Sequence, residues 1–169
     1  CIYVEFYIMR EDRLGLRLLE VLAAKAAEGV EVCFLIDSLG SLSMRPHLEK
    51  WRQRGIRWIT FCALTKWRDR WRLNFRNHRK IVVVDGRVGF IGGHNVGDEY
   101  LGRDAKYGRW RDTHVCVEGP TVMQLQLVFV ADWFFATGEK LPAPWEARPR
   151  SRLEEQHSLI LASGPADEF

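Results

Sequence analysis

A chain of 169 residues, 47% apolar and 28% charged, can build one sizeable core and is too short for two ordinary domains. It has no low-complexity tract of the kind that stays disordered, and no uninterrupted apolar stretch of the ~20 residues that a membrane span needs. Net charge is only +3, but seven basic side chains against one acid between Lys66 and Lys80 concentrate +6 there and leave −3 elsewhere, a distribution suited to phosphate on nucleic acid, on a lipid headgroup or on an anionic bilayer surface.

Ile2 to Met9 is a β-branched and aromatic run and predicts a strand. Leu14, Leu18, Leu22 and Leu19, Ala23, Ala26 recur at three- and four-residue spacing, which predicts an amphipathic helix over 14–28 stopped by Gly29. Val30 to Asp37 predicts a second strand, Pro46 to Arg54 a helix with proline in its first turn, and Ile56 to Leu64 a third strand. Strands alternating with helices predict an α/β layer architecture whose first strands are parallel. Lys80–Val84 and Arg87–Ile91 around Asp85-Gly86 predict a hairpin. Trp110 to Val117 predicts another strand, Thr121 to Thr137 a helix with Val122, Leu125, Val128, Phe129, Trp133 and Ala136 on one face, and Gly138 its stop. The resulting division is a domain over 1–140, a Pro-rich linker over 141–156 and, from His157, the first strand of a following module over 157–169. The chain starts Cys1-Ile2-Tyr3 without an initiator methionine or a leader pattern, and so reads as a piece of a longer polypeptide. The cysteines at 1, 33, 62 and 116 have no C-x-x-C spacing and are expected to be reduced core thiols, as on the cytosolic side of a membrane.

The residues that carry chemistry are His78, Lys80, Asp85, Gly92, Gly93 and Asn95, spaced H-x-K-x4-D-x6-G-G-x-N within eighteen positions. Phosphodiesters hydrolyse slowly, so a catalyst must supply a nucleophile, an acid for the leaving alkoxide and positive charge for the phosphoryl oxygens. A neutral imidazole can attack phosphorus, and an imidazolium can protonate a leaving oxygen. Lys80 projects to the same side of a strand as His78 and can grip the phosphate. Gly93 removes bulk beside the site, and the Asn95 carboxamide can donate to a non-bridging oxygen. Asp85 belongs to the motif, but its place in the hairpin turn favours a structural hydrogen-bonding role over the reaction itself. A nucleophilic imidazole needs an acceptor on its other nitrogen, for which Asp112 is the candidate. His47, His94, His114 and His157 are expected to be structural or solvent-exposed. No Asp or Glu cluster has metal-ligand spacing, so a site free of metal and cofactor is expected.

At these residues the chain resembles the phospholipase D superfamily, whose signature is the HKD motif, and more narrowly the first catalytic half of a bacterial cardiolipin synthase. The segments that carry the narrower resemblance are Asp37-Ser38-Leu39-Gly40-Ser41, Asn95-Val96-Gly97-Asp98-Glu99-Tyr100, Trp110-Arg111-Asp112-Thr113-His114 and Asp132-Trp133-Phe134-Phe135. The resemblance implies a mixed sheet flanked by helices, an α/β/α sandwich that is one half of a two-fold or pseudo-two-fold unit. It further implies catalytic roles across His78, Lys80, Asp85 and Asp112: His78 as nucleophile, Lys80 and Asn95 on the phosphate, and Asp112 orienting the imidazole. Two phosphatidylglycerols would be joined into cardiolipin, with release of glycerol through a phosphohistidine.

That family carries two HKD motifs and this sequence has one, so the resemblance calls for a second half in the parent chain or a homodimer mate. It also implies an inner-membrane location, peripheral or through N-terminal membrane segments that this sequence lacks. Contact with the membrane or another anion would then rest on Trp67, Arg68, Arg70, Trp71 and Arg72, whose indole and guanidinium groups suit a headgroup layer. The alternative is a homodimeric phosphodiesterase or endonuclease, with the basic patch as a backbone groove.

Overall fold

In the computed structural model, which describes residues 1–61, 77–146 and 157–163, the leading apolar runs form parallel strands β1 (Ile2–Phe6), β2 (Val32–Asp37) and β3 (Ile56–Phe61). Helix α1 (Arg13–Ala27) joins the first pair; a 3-10 segment, Leu42–His47, running into the short α2 (Leu48–Gln53), joins the second. The hairpin forms as expected, from β4 (Lys80–Val84) and β5 (Val88–Gly92). Asp85 at φ 53 and Gly86 at φ 64 both take the left-handed conformation that a tight hairpin turn demands. Strand β6 (His114–Glu118) and helix α3 (Thr121–Thr137) follow.

The strand order is β3-β2-β1-β4-β5-β6, with β1 parallel to β2 and antiparallel to β4. The carboxyl ends of β1, β2 and β3 therefore share one edge with the amino end of β4. In open α/β sheets ligands gather at such an edge, where the strand order reverses.

Alternation along the strands divides the core in two. Val4, Phe34 and Ile36 pack with Leu19, Leu22, Trp51 and Trp58 on the side of α1 and α2. Tyr3, Leu35, Ile81 and Val83 pack with Leu125, Phe129 and Trp133 of α3 on the other side. Tyr3 and Phe129 stack with ring centroids 5.0 Å apart and planes 4° from parallel. Helices on both faces of a mixed sheet give the expected layered class.

Several expectations shift. The first strand stops at Phe6 because Tyr7 to Met9 leave the ladder to bond loops: Met9 N–H donates to Ser41 Oγ at 2.9 Å, and Val96 N–H to Ile8 O at 3.1 Å. Pro46 lies inside the 3-10 segment rather than in the first turn of α2. The strand expected from Trp110 begins only at His114, since Trp110 instead packs edge-on against Tyr100 at 5.0 Å. Leu141 and Ala143, expected in a linker, are buried on the α3 side. Residues 157–163 were expected to be a buried strand; they pair with no described strand and are mostly exposed, and Ile160 N–H donates to Gln124 Oε1 at 2.8 Å. Cys33 is buried and its thiol is pushed up to about 12 by burial. Cys116, by contrast, is exposed, because β6 is the edge strand of the sheet. The basic run with Trp67, Arg68, Arg70, Trp71 and Arg72, together with Cys62, lies outside the described residues, as does most of 141–156. Among the described residues no helix is long and apolar enough to cross a membrane.

Phe129 is fully buried against Tyr3 and Trp133, so Phe129→Ala should lower the unfolding free energy by about 3–5 kcal/mol in urea titration. Leu127→Ala, on the exposed side of the same helix, should change it by less than ~0.5 kcal/mol.

Candidate active site

The four residues Asn77-His78-Arg79-Lys80 lead into β4, and alternation sends them to opposite faces of the sheet. Asn77 and Arg79 turn toward α3. Asn77 Nδ2 donates to Glu5 Oε1 and, at 3.2 Å, to Asp132 Oδ2; the Arg79 guanidinium pairs with Asp132, and Arg79 N–H donates to Asn77 Oδ1 at 3.0 Å. His78 and Lys80 turn the other way. The His78 ring stacks on Tyr7 at 3.8 Å with a 23° tilt, while Lys80 Nζ donates to the His78 carbonyl and lies 5.5 Å from the centre of the Tyr7 ring.

Partial burial, and then the Lys80 charge, hold the His78 imidazole below the ordinary histidine range, against an opposing pull from Asp37. Burial likewise lowers the Lys80 ammonium, against Asp112. A lowered imidazole is unprotonated at neutral pH, which is the form that attacks phosphorus. Lys80 has two N–H bonds beyond the one given to His78, and among the described residues these have no hydrogen-bond partner.

The glycine pair explains how Asp112 reaches this edge. Gly93 N–H donates to Thr113 O at 2.9 Å, and a Cβ built on Gly93 would stand 2.0 Å from Asp112 Oδ1. Only glycine leaves room for that carboxylate. Asp112 also accepts from Thr113 N–H at 2.7 Å and acts on both Lys80 and His114. It makes no described hydrogen bond to His78; the carboxylate whose charge acts on His78 is Asp37. In this arrangement Asp112 stands at the sheet edge as a carboxylate that acts on the lysine.

Asn95 is a clamp in the free chain. Its Oδ1 accepts from Ile8 N–H at 2.9 Å and its Nδ2 donates to Tyr100 OH at 3.1 Å, which leaves one N–H for a phosphate. Asp85 stands at the tip of the hairpin, where its carboxylate meets the amino group of Cys1. Lys80 opens the five-residue strand β4 and Asp85 follows its far end, roughly 16 Å away at the strand rise, in the turn position expected of a structural hydrogen-bonding residue. His94 and His114 come together at 5.9 Å, with the exposed His114 lowered by burial and then by His94 and raised by Asp112.

Sequence reasoning missed Tyr7, Asp37, Glu5 and Asp132. Asp37 carried a signal, since it ends a strand and opens the turn Asp-Ser-Leu-Gly: its Oδ1 accepts from Leu39 and Gly40 N–H at 2.9 and 3.1 Å. Ser41 Oγ then donates to Tyr7 O at 3.2 Å and holds the ring that carries His78. Nothing in the local pattern marked Tyr7 or Glu5. Among the described residues no group of three His, Cys, Asp or Glu side chains is placed to hold a metal ion.

NMR titration should find the His78 imidazole below the ~6.5 of an ordinary histidine, and Lys80→Met should raise it, because removing a neighbouring cation favours protonation. Gly93→Ala should displace the Asp112 carboxylate, which acts to raise His114, so the His114 titration should fall further in that variant.

No family model matches the chain. It is 44% identical over 167 residues to a cardiolipin synthase of Geobacillus thermodenitrificans, covering 97% of this chain and 33% of that one. It is 46% identical to cardiolipin synthase A of Pseudomonas fluorescens (99% and 35%) and 48% identical to cardiolipin synthase A of Pseudomonas aeruginosa (98% and 34%). The chain thus spans about a third of the length of the curated relatives it matches. In structure it is similar to Nuc of Salmonella typhimurium, a phospholipase D family member, with a TM-score of 0.53 at 15% identity, covering 83% of this chain and 79% of that one. NucT of Helicobacter pylori gives 0.55 at 11% identity, covering 78% and 77%. By sequence, then, the chain is homologous to a segment about one third the length of bacterial cardiolipin synthases, and its fold is that of the phospholipase D family.

Proposed function

We propose that the chain is the first catalytic half of a cardiolipin synthase, a phospholipase D-type phosphatidyltransferase. The observation that carries this reading is the pairing of a low-titrating His78 with Lys80 at the carboxyl edge of the sheet, in a chain 44–48% identical to cardiolipin synthases over nearly its whole length. The imidazole lone pair of His78 attacks the phosphorus of one phosphatidylglycerol. The bond from phosphorus to the glycerol oxygen breaks, and a general acid from the second HKD motif protonates that oxygen. The terminal hydroxyl of a second phosphatidylglycerol then gives its proton to the same group and attacks the phosphatidyl-histidine. The phosphorus–nitrogen bond breaks, cardiolipin forms and His78 is regenerated.

Lys80, the remaining N–H of Asn95 and the space at Gly93 receive the phosphoryl oxygens. Burial lowers both groups, and the carboxylates of Asp112 and Asp37 oppose that shift at Lys80 and His78 respectively. Residues 1–140 form the half-site, 141–156 the connection and 157–169 the opening of the second half, which otherwise comes from a homodimer mate. The run with Trp67, Arg68, Arg70, Trp71 and Arg72 meets an anionic membrane surface such as that of the inner membrane, where phosphatidylglycerol is the substrate.

A homodimeric phosphodiesterase is the second reading, favoured by the match to Nuc and NucT over 79% and 77% of their own lengths. Glycerol release and cardiolipin formation, followed from phosphatidylglycerol vesicles over a wide range of protein concentration, test both. The transferase reading expects cardiolipin either from the chain alone, rising steeply with concentration, or on adding the missing half, and a loss of roughly 10³-fold or more in His78→Ala. Tight binding and cleavage of mixed-sequence DNA at moderate salt, without lipid turnover, would favour the alternative.

A further inference from the structure

On the opposite face of the sheet from His78 and Lys80 lies a cluster that the chemistry above does not use. Glu5, 1% exposed, sits in the middle of β1 between Leu35 of β2 and Ile81 of β4, under α3. Asp132 of α3 stands beside it, and a single amide, Asn77 Nδ2, donates to both carboxyls. Arg79 closes the cluster by pairing with Asp132 and donating its N–H to Asn77 Oδ1. One cation faces two acids in an apolar layer. Burial first, and then the Asp132 charge, push the Glu5 carboxyl well above the usual carboxylate range, which favours its protonated form, while Arg79 pairs with Asp132.

Stability does not explain the cluster, because apolar groups of the same volume are commonly as stable as a buried charged network, or more so. Placement does. The β1–β4 ladder begins at the pair Phe6 and Lys80, so His78 lies outside it, and among the described residues no strand pairing holds its backbone. The side chains that flank His78 on either side are Asn77, tied to β1 through Glu5 and to α3 through Asp132, and Arg79, tied to α3 through Asp132.

We propose that Glu5, Asn77, Arg79 and Asp132 form a positioning element that holds His78 against Tyr7 in its reactive placement, acting through the backbone on either side of it. The inference rests on the reading of His78 as the nucleophile. Glu5→Leu separates placement from stability, since leucine suits the apolar layer but breaks the hold on Asn77. Glu5→Gln copies the protonated acid.

In the full chain, Glu5→Leu should keep or raise the thermal midpoint. The His78 titration should move up toward the ordinary histidine value, and kcat for phosphatidyl transfer should fall roughly 100-fold at unchanged KM. Glu5→Gln should recover both the titration and kcat. An unchanged His78 titration in Glu5→Leu, or losses in both variants that follow the thermal midpoint, would overturn the proposal. If Glu5→Leu fails to fold, Asn77→Ala cuts the same link, and an unaltered His78 titration there has the same meaning. Should the wild-type chain transfer no phosphatidyl group even with a second half supplied, the functional reading falls, while the titrations still decide the positioning role.

Discussion

Alternation through Asn77-His78-Arg79-Lys80 is the constraint on which the site depends. Four consecutive side chains are divided between two faces of one sheet, so a segment only four residues long both presents His78 and Lys80 on one face and is held from the other. The face toward α3 meets carboxyls and an apolar layer, and the face toward Tyr7 meets an aromatic ring and open space. A slip of one residue would exchange the two sets, burying His78 and Lys80 among the apolar side chains under α3. The five paired residues of β1 and β4, Ile2↔Val84 to Phe6↔Lys80, set against Tyr3 and Ile81 in the α3-side core, fix that register.

Around this segment three loops are tied back to the end of β1. The turn after β2 holds Tyr7 and Met9 through Ser41. The segment after β5 holds Ile8 through Asn95 and runs beside Met9 at Val96. The start of α1 joins in, since Asp12 caps the helix through Gly15 N–H and accepts from Asp98 N–H at 2.6 Å. Backbone donors that would otherwise be orphaned where strands stop are met by these side chains. The polar residues of this edge thereby act in the fold as well as the chemistry, and Asn95 has a place in both.

The electrostatic arrangement follows from the same geometry. Lys80 lies close enough to His78 to depress its protonation, and carboxylates stand on either side of the pair, Asp37 acting on the histidine and Asp112 on the lysine. The imidazole is left neutral and the ammonium keeps N–H bonds for an anion. This is half of what phosphoryl transfer needs, because a nucleophile and an anion grip still require an acid for the leaving alkoxide.

Much of this was legible in the sequence. The hairpin at Asp85-Gly86, the helices before Gly29 and Gly138 and the three leading strands follow from periodicity and turn chemistry, which are local. His78, Lys80, Gly93 and Asn95 were legible because their spacing lies within one hairpin and the segment after it. The rest depends on which strands become neighbours. Putting β1 between β2 and β4 is what brings Tyr7 under His78, Asp37 to the same edge and Glu5 beside Asp132, partners 71, 41 and 127 residues apart. The same placement set Asp112 beside Lys80 and exposed Cys116 on the edge. The sequence alone singled out His78, Lys80, Gly93 and Asn95, because short-range spacing and alternation suffice for them; the tertiary structure decided what holds and charges those groups, because that depends on contacts between segments that no local pattern connects.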